Sequence, residues 1–233
     1  LLTQVFGAHA VASCAASPRQ APAENSVATA PATRPELPAY YQNQRPEIVA
    51  LIPPSSMRVL DVGCAAGEMG RLLKSQRPGV HIVGIEKETR AATRARSNLD
   101  EVIGADMDEL ETLPYPVEHF DCITCGDILE HLRDPEAVVK KLLPYLKQGG
   151  SLVCSIPNIR HQSVLLDLLV NGRWQYRDEG LLDRTHIHFF TLAEIQAMMQ
   201  RLGLKIARMS ASQSPVESSM EPILKAVGAL GGD

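Results

Sequence analysis

Apolar residues gather along the chain in short runs that alternate with stretches of helical spacing. The run "RVLDV" (58–62) is apolar almost throughout, as expected of a parallel strand covered on both faces. Met69, Leu72 and Leu73 then recur at helical spacing, and Pro78-Gly79 stops that helix. "HIVGIE" (81–86) predicts a second strand, 89–98 a helix, 101–104 a short strand and "FDCITC" (120–125) a fourth. A long helix over 135–147 is predicted to end at Gly149-Gly150, ahead of a fifth strand, "SLVCSI" (151–156). Past Pro157 the pattern predicts a helix over "HQSVLLDLLV", a long loop over 171–190 and a capped helix over "TLAEIQAMMQRLG". A sixth strand, "LKIARMSAS", and a last helix over 217–229 follow. A short helix in "RPEIVALI", ended by Pro53-Pro54, precedes the first strand.

Strands alternating with helices in this way build parallel βαβ units. The expected class is α/β: a doubly wound, mostly parallel sheet of about six to seven strands with helices on both faces. Residues 15–38 are rich in Ala, Pro, Ser and Thr and bury too little to hold a regular element. Residues 1–39 are therefore expected to be a flexible Ala/Pro-rich segment or linker, and 40–233 the folded domain.

Composition narrows this picture. At 233 residues with 45% hydrophobic and 21% charged, the chain suits one soluble domain with appendages. No run reaches about 18 apolar residues, so no membrane span is expected. The net charge of -4 makes nucleic acid an improbable partner. "VASC" (11–14) resembles a lipoprotein cleavage box, but no basic n-region precedes it. Cys122 and Cys125 spell a CxxC, yet on a strand positions i and i+3 face opposite ways. Reduced, buried cysteines are expected, which suits the cytoplasm. The chain does not begin with Met and is read as a fragment or a processed form.

The candidate chemistry begins at "RVLDVGCAAGEMG" (58–70), a strand running into an aspartate and a glycine-rich loop. A dinucleotide fingerprint needs G-x-G-x-x-G, whose second glycine lets the backbone close on a pyrophosphate. Here Ala65 occupies that place, and Asp61 would repel the pyrophosphate. "VLDVGCAAG" instead resembles motif I of the class I S-adenosylmethionine-dependent methyltransferases. Other segments match that family in order: Glu86 ending "IVGIE", "GADMDEL" (104–110), "CGDILEHL" (125–132) and "LKQGGSLVCSIPN". The resemblance covers about 40–210.

It implies a Rossmann-like fold and S-adenosylmethionine, with S-adenosylhomocysteine as its product. Asp61 would address the methionine amino group, Glu86 the ribose hydroxyls, and Asp106 and Met107 the adenine. Tyr41, Gly63, Cys64, Ala65, Gly67, Lys87, Gly126 and Asp127 complete the implied cofactor site. Ala65 departs from the family pattern, and its backbone is expected to keep φ below zero with the methyl turned away. Family members close on a seventh, antiparallel strand, which the chain lacks, so truncation is expected.

Methyl transfer needs an aligned nucleophile and exclusion of water, and a hydroxyl nucleophile gains from a base such as His. Three places carry candidates. Asp127, Glu130 and His131 share one face of a helical turn. They read either as an N-cap (Asp127) with a capping-box partner (Glu130), or as a cation site like the E-x-x-E-H motif of ubiquinone-pathway O-methyltransferases. "LLDRTHIHFFT" (181–191) resembles a stretch of bacterial methyltransferases fused to, or encoded near, glycosyltransferases. There His186 is the candidate base, His188 points to the same side if the chain is extended, and Asp183, Arg184 and Thr185 tie the loop down. In "SIPNIRH", Asn158, Arg160 and His161 could meet an acceptor, and Trp174, Tyr176 and Arg177 could form a lid. Arg90, Arg94 and Arg96 read as a solvated helix face.

The expected function is O-methylation of a small polar acceptor, glycan or nucleotide-sugar. N- or C-methylation of another acceptor (protein or RNA), and cofactor binding without turnover, remain alternatives. A glycosyltransferase, fused or associated, and a second copy of the chain are the candidate partners.

Overall fold

A computed structural model describes residues 37–210 together with 221, 222 and 225. The expectation for 1–36 and most of that for the last helix therefore lie outside the described residues. Helix α1 (Pro46–Val49) leads into β1 (Arg58–Val62), α2 (Glu68–Gln76), β2 (His81–Glu86), α3 (Thr89–Ala95) and β3 (Glu101–Gly104). There follow β4 (Phe120–Gly126), α4 (Pro135–Leu142), β5 (Leu146–Ser155), α5 (Gln162–Leu169) and α6 (Leu192–Arg201). Among the described residues the sheet has five strands, all parallel, in the order β3-β2-β1-β4-β5.

The two faces of the sheet carry separate cores. Leu60, Val62, Val83, Ile85, Ile123 and Cys125 face α4 and α6 through Val138, Val139, Leu142, Met198 and Met199. Val59, Ile82 and Cys122 face α1, α2 and α3 through Ile48, Leu73 and Ala95. Cys122 and Cys125 thus diverge to opposite layers as the strand reading requires, and the described cysteines are free. Phe120 is fully buried at the start of β4, where truncation to Ala would cost about 3–5 kcal/mol.

Two expectations need correction. The helix expected over 135–147 stops at Leu142, because Pro144 has no N–H to continue it; a single 3-10 turn, Leu143–Tyr145, follows. Gly149 and Gly150 then lie inside β5, where the register against β4 slips between Phe120 and Cys122 and Gly149 takes φ 76°. The sixth strand does not form within 204–210. Ile206 and Met209 are 39% and 49% exposed, so the alternation in this stretch has no buried face to pair on.

Candidate functional site

The C-terminal ends of β1, β2 and β4 converge on one rim, the place where open parallel sheets bind ligands. Asp61 ends the apolar run of β1 and is 4% exposed, its Oδ1 accepting from the Thr124 hydroxyl at 2.8 Å. Burial raises its pKa to about 7; the Thr124 bond and the Arg45 charge oppose this, and the Glu86 charge adds to it. The loop after Asp61 crosses to β2, with the amides of Gly63 and Cys64 both donating to the Ile85 carbonyl (2.9 and 3.0 Å).

At Ala65 the expectation of negative φ is wrong: the residue has φ 49°. The cause is one strand away. In the left-handed conformation the Ala65 N–H donates to Glu86 Oε2 at 2.9 Å, while Glu88 N–H donates to Oε1 at 2.8 Å. The loop spends backbone strain to hold this carboxylate in place. Gly67, at φ 77°, closes the turn; a side chain there would also press on Leu99 at 3.0 Å and on the Ala95 backbone at 3.2 Å. Its glycine character serves the turn and the packing of α2 against α3.

The remaining implied cofactor residues fall on the same rim. Lys87 Nζ lies 3.9 Å from Asp106 Oδ2, and Asp106 Oδ1 accepts from the Asp108 N–H at 3.0 Å. Met107 is buried, its carbonyl accepting from Lys141 Nζ at 2.8 Å. The Tyr41 carbonyl accepts from the Ala66 N–H at 3.2 Å, and burial, with the Glu86 and Glu88 charges, raises its phenol pKa. Cys64 is buried under the loop, which raises its thiol pKa. The buried carboxylates of Asp61 and Glu86 suit an ammonium group and a ribose diol, so these residues fit S-adenosylmethionine.

Beside β4 the structure departs from the cap reading. Asp127, at φ 51°, caps nothing: its carboxylate takes the Arg45 guanidinium and the Ser155 hydroxyl (2.7 Å). The 3-10 turn Leu129–His131 has no side-chain cap. Glu130 is instead fully buried, and both its oxygens lack a hydrogen-bond partner. Its carbonyl accepts the N–H groups of Ile187 and His188 (2.9 and 3.1 Å), which fastens the 181–190 segment to this turn.

That fastening brings His186 in. Its Nε2 lies 3.9 Å from Glu130 Oε1, and its ring meets His131 edge-on, centroids 4.7 Å apart. His186 Nδ1 lies 3.2 Å from the Leu181 carbonyl, and His131 Nδ1 lies 3.2 Å from that of Thr185. A carbonyl can only accept, so both Nδ1 atoms carry protons, and the neutral form of each ring has its lone pair on Nε2. Burial, the largest influence, lowers the His131 pKa, with the His186 charge adding to it and the Thr185 bond opposing it. Asp183 supports the arrangement by accepting from both the N–H (2.7 Å) and the hydroxyl (2.6 Å) of Thr185.

Among the described residues the converging donor set is therefore Glu130, His131 and His186, with ligand atoms within 4.8 Å of one another, and not the Asp127, Glu130 and His131 of the cation alternative. A carboxylate and two imidazole lone pairs fit a divalent cation. A cavity of about 260 Å³ opens over them, lined also by Asp127, Pro157 and Asp183.

Other candidates lie elsewhere. His188, expected on the same side as His186, is half-buried with Nε2 3.2 Å from the Arg133 carbonyl and does not line the cavity; the segment turns instead of running extended. His161 is the N-cap of α5, its Nδ1 accepting from the Ser163 N–H at 3.3 Å, and does not line the cavity. Trp174 and Tyr176 pack on Phe189, with centroids 5.5 and 6.2 Å away. Arg90, Arg94 and Arg96 face outward as expected. Arg45 and Ser155 escaped the sequence reading: Arg45 stood as the first residue of a short helix, and nothing local marks a partner 82 positions away.

Comparison with known proteins bears on this geometry. A family model described as a methyltransferase domain matches residues 36–208. A ubiquinone biosynthesis O-methyltransferase of Xylella fastidiosa is 32% identical over 175 residues, 68% of this chain. The match spans 65% of that relative's own length, just under two thirds. Among solved structures, an S-adenosylmethionine-dependent methyltransferase of Mesorhizobium loti aligns with TM-score 0.54 at 17% identity, covering 79% of this chain and 91% of its own. The plantazolicin methyltransferase in complex with S-adenosylhomocysteine aligns with TM-score 0.51 at 21% identity, covering 70% and 59%. These structural likenesses establish the fold.

Proposed function

Because the chain belongs to the class I S-adenosylmethionine-dependent methyltransferases, we propose that it methylates a hydroxyl group of a small, uncharged polar acceptor. The observation that carries this reading is His186, which lines the cavity with its Nε2 3.9 Å from the partnerless Glu130 carboxyl group. When bound, S-adenosylmethionine supplies a sulfonium-activated methyl group open to in-line displacement. His186 Nε2 takes the proton of the acceptor hydroxyl; burial lifts the Glu130 pKa to about 8, and the imidazolium that forms beside it favours its ionised form. The Leu181 carbonyl holds the ring in the tautomer this needs. The 181–190 segment, tied down on the Glu130 carbonyl, limits access of water to the site.

The cavity lining favours an uncharged acceptor. Asp127 and Asp183 border it, no Lys or Arg is among its lining residues, and Asp127 already engages the Arg45 guanidinium, so the lining offers a phosphate-bearing nucleotide-sugar no positive partner. The O-methyltransferase activity in the name of the Xylella relative supports oxygen over nitrogen.

Glu130's partnerless oxygens favour a second reading: a divalent cation on Glu130, His131 and His186 that would polarise the acceptor oxygen. The test is methyl-transfer turnover against neutral phenols, sugars, nucleotide-sugars and peptides, before and after chelation. O-methylation of a neutral acceptor supports the main reading. Transfer to nitrogen or carbon, or to none of these acceptors, overturns it, and turnover lost on chelation selects the cation.

A further inference from the structure

Two thiols that the CxxC spacing does not pair stand side by side on the sheet. Cys125 of β4 and Cys154 of β5 are direct register partners in the parallel ladder. Directly paired residues send their side chains to the same face, and Cys154 packs against the cluster that buries Cys125. Cys122, three residues earlier, belongs to the opposite layer and has Ser151 as its register partner. The hydrogen bond to Cys154 is the largest influence raising the Cys125 pKa, and burial adds to it. Adjacent strands lie about 4.8 Å apart, inside the span of roughly 4.4–6.8 Å between Cα atoms that a disulfide bridges.

The two thiols differ in access. Cys125 is fully buried, and its raised pKa keeps it protonated. Cys154, on the last strand of the sheet order among the described residues, is half-buried. An oxidant therefore meets Cys154 first and reaches Cys125 only through it. Each thiol also stands one residue from a linked pair on the rim. Gly126 and Ser155 are the next register partners, and the Asp127 N–H donates to the Ser155 carbonyl at 3.0 Å. The Ser155 hydroxyl donates to Asp127 Oδ1 at 2.7 Å and accepts from Arg45 Nη2 at 2.8 Å.

We propose that Cys125 and Cys154 form an oxidisable dithiol, closed to a disulfide by hydrogen peroxide, and that closure loosens the cofactor end of the site. The Cys154 thiolate attacks one peroxide oxygen, the O–O bond breaks, the other oxygen leaves as water, and the sulfur becomes a sulfenic acid. Cys125 sulfur then attacks Cys154 sulfur. The S–S bond forms, the S–O bond breaks, and the Cys125 proton leaves with the hydroxyl as a second water. In all, two thiols lose two electrons and two protons, and one peroxide is reduced to two waters. The Cβ atoms of a disulfide sit about 3.8 Å apart, so the bond draws the two strand ends together by about 1 Å. Ser155 and Asp127 follow directly, and hydrogen bonds weaken steeply when their geometry is displaced that far. The binding effect rests on the cofactor reading above; the disulfide does not.

Peptide mapping of the full chain before and after hydrogen peroxide, with free thiols alkylated under denaturing conditions, tests the dithiol. The expected product is a Cys125–Cys154 cross-linked peptide that dithiothreitol dissolves, with Cys64 and Cys122 still alkylated. Cys125 left free for alkylation after peroxide, or Cys154 joined to any other cysteine, overturns the pair. Calorimetry with S-adenosylhomocysteine on the reduced and oxidised protein reads the consequence. Oxidation is expected to weaken binding by about tenfold and dithiothreitol to restore it. Cys154→Ser is expected to bind like reduced wild type and to be indifferent to peroxide, and Cys125→Ser stands in should it not fold. Unchanged affinity in the cross-linked protein, or an equal loss in Cys154→Ser, overturns the link to the site. Reduced wild type that binds no S-adenosylhomocysteine removes the cofactor reading and that link with it, while the peptide map still decides the dithiol.

Discussion

The Glu130 carboxylate and the His186 imidazole stand 3.9 Å apart under the cavity, their side chains 1% and 7% exposed. Both carboxylate oxygens are buried without a hydrogen bond, an arrangement that costs stability and that folding alone would remove. Groups kept in so unfavourable a state concentrate at functional sites. The pair unites the two segments in which sequence reasoning had put separate candidates.

His186→Ala is expected to lower kcat by about a hundredfold or more, the usual contribution of a positioned base. Affinity for S-adenosylhomocysteine should stay within about twofold, since His186 lies on the acceptor side. Steady-state kinetics together with calorimetry measure both, and a normal rate would remove His186 as the base.

Glu130→Gln should separate stability from function. Burial lifts the Glu130 pKa to about 8, so the amide is expected to raise the thermal midpoint above pH 8, where the wild-type carboxylate is charged and partnerless, while turnover falls because the imidazolium loses its counter-charge. Thermal unfolding and initial rates on one preparation check the pair of effects. A variant that is both less stable and fully active would contradict this view of Glu130.

Much of the architecture was legible in the sequence. β1 and β2 are buried on both faces, and such strands must be apolar nearly throughout, so their limits can be read directly. The apparent sixth strand at Leu204 shows the converse: alternation marks a strand only if a partner buries one face, and the sequence does not contain that information. The site was legible where motifs are contiguous, as at Asp61 and Glu86. It was illegible where geometry arises between segments, as in the Arg45 reach to Asp127 and the turn that sends His186 to the cavity and His188 to the Arg133 carbonyl.

Ala65 belongs to the second kind, since its backbone conformation answers to Glu86 and not to its neighbours. Ala65→Val places a β-branched side chain at φ 49° and is expected to cost about 2 kcal/mol or more. Ala65→Gly relieves the strain but frees the unfolded chain, so its net effect should lie within about 1 kcal/mol of zero. Urea unfolding of both variants measures the difference. Equal stabilities for Val and Gly would mean that the loop adopts another conformation in solution.

Asp61 makes stability depend on pH. Burial, with the Glu86 charge, lifts its folded-state pKa to about 7 against the opposing Thr124 hydrogen bond and Arg45 charge, while in the unfolded chain it returns to the ordinary value of 3.8. The folded state therefore binds more protons than the unfolded state between those values. The stabilising contribution is fully present below the ordinary carboxyl pKa of 3.8 and is lost as pH rises through 7, a change on the order of 4 kcal/mol. Asp61→Asn has no proton to lose, so its unfolding free energy should fall less than that of wild type between pH 4 and 8 by an amount of that order. Urea unfolding at intervals across this range compares the two slopes. Parallel curves would show that Asp61 titrates normally, in contact with water, and that the rim of β1 is more open than its burial implies.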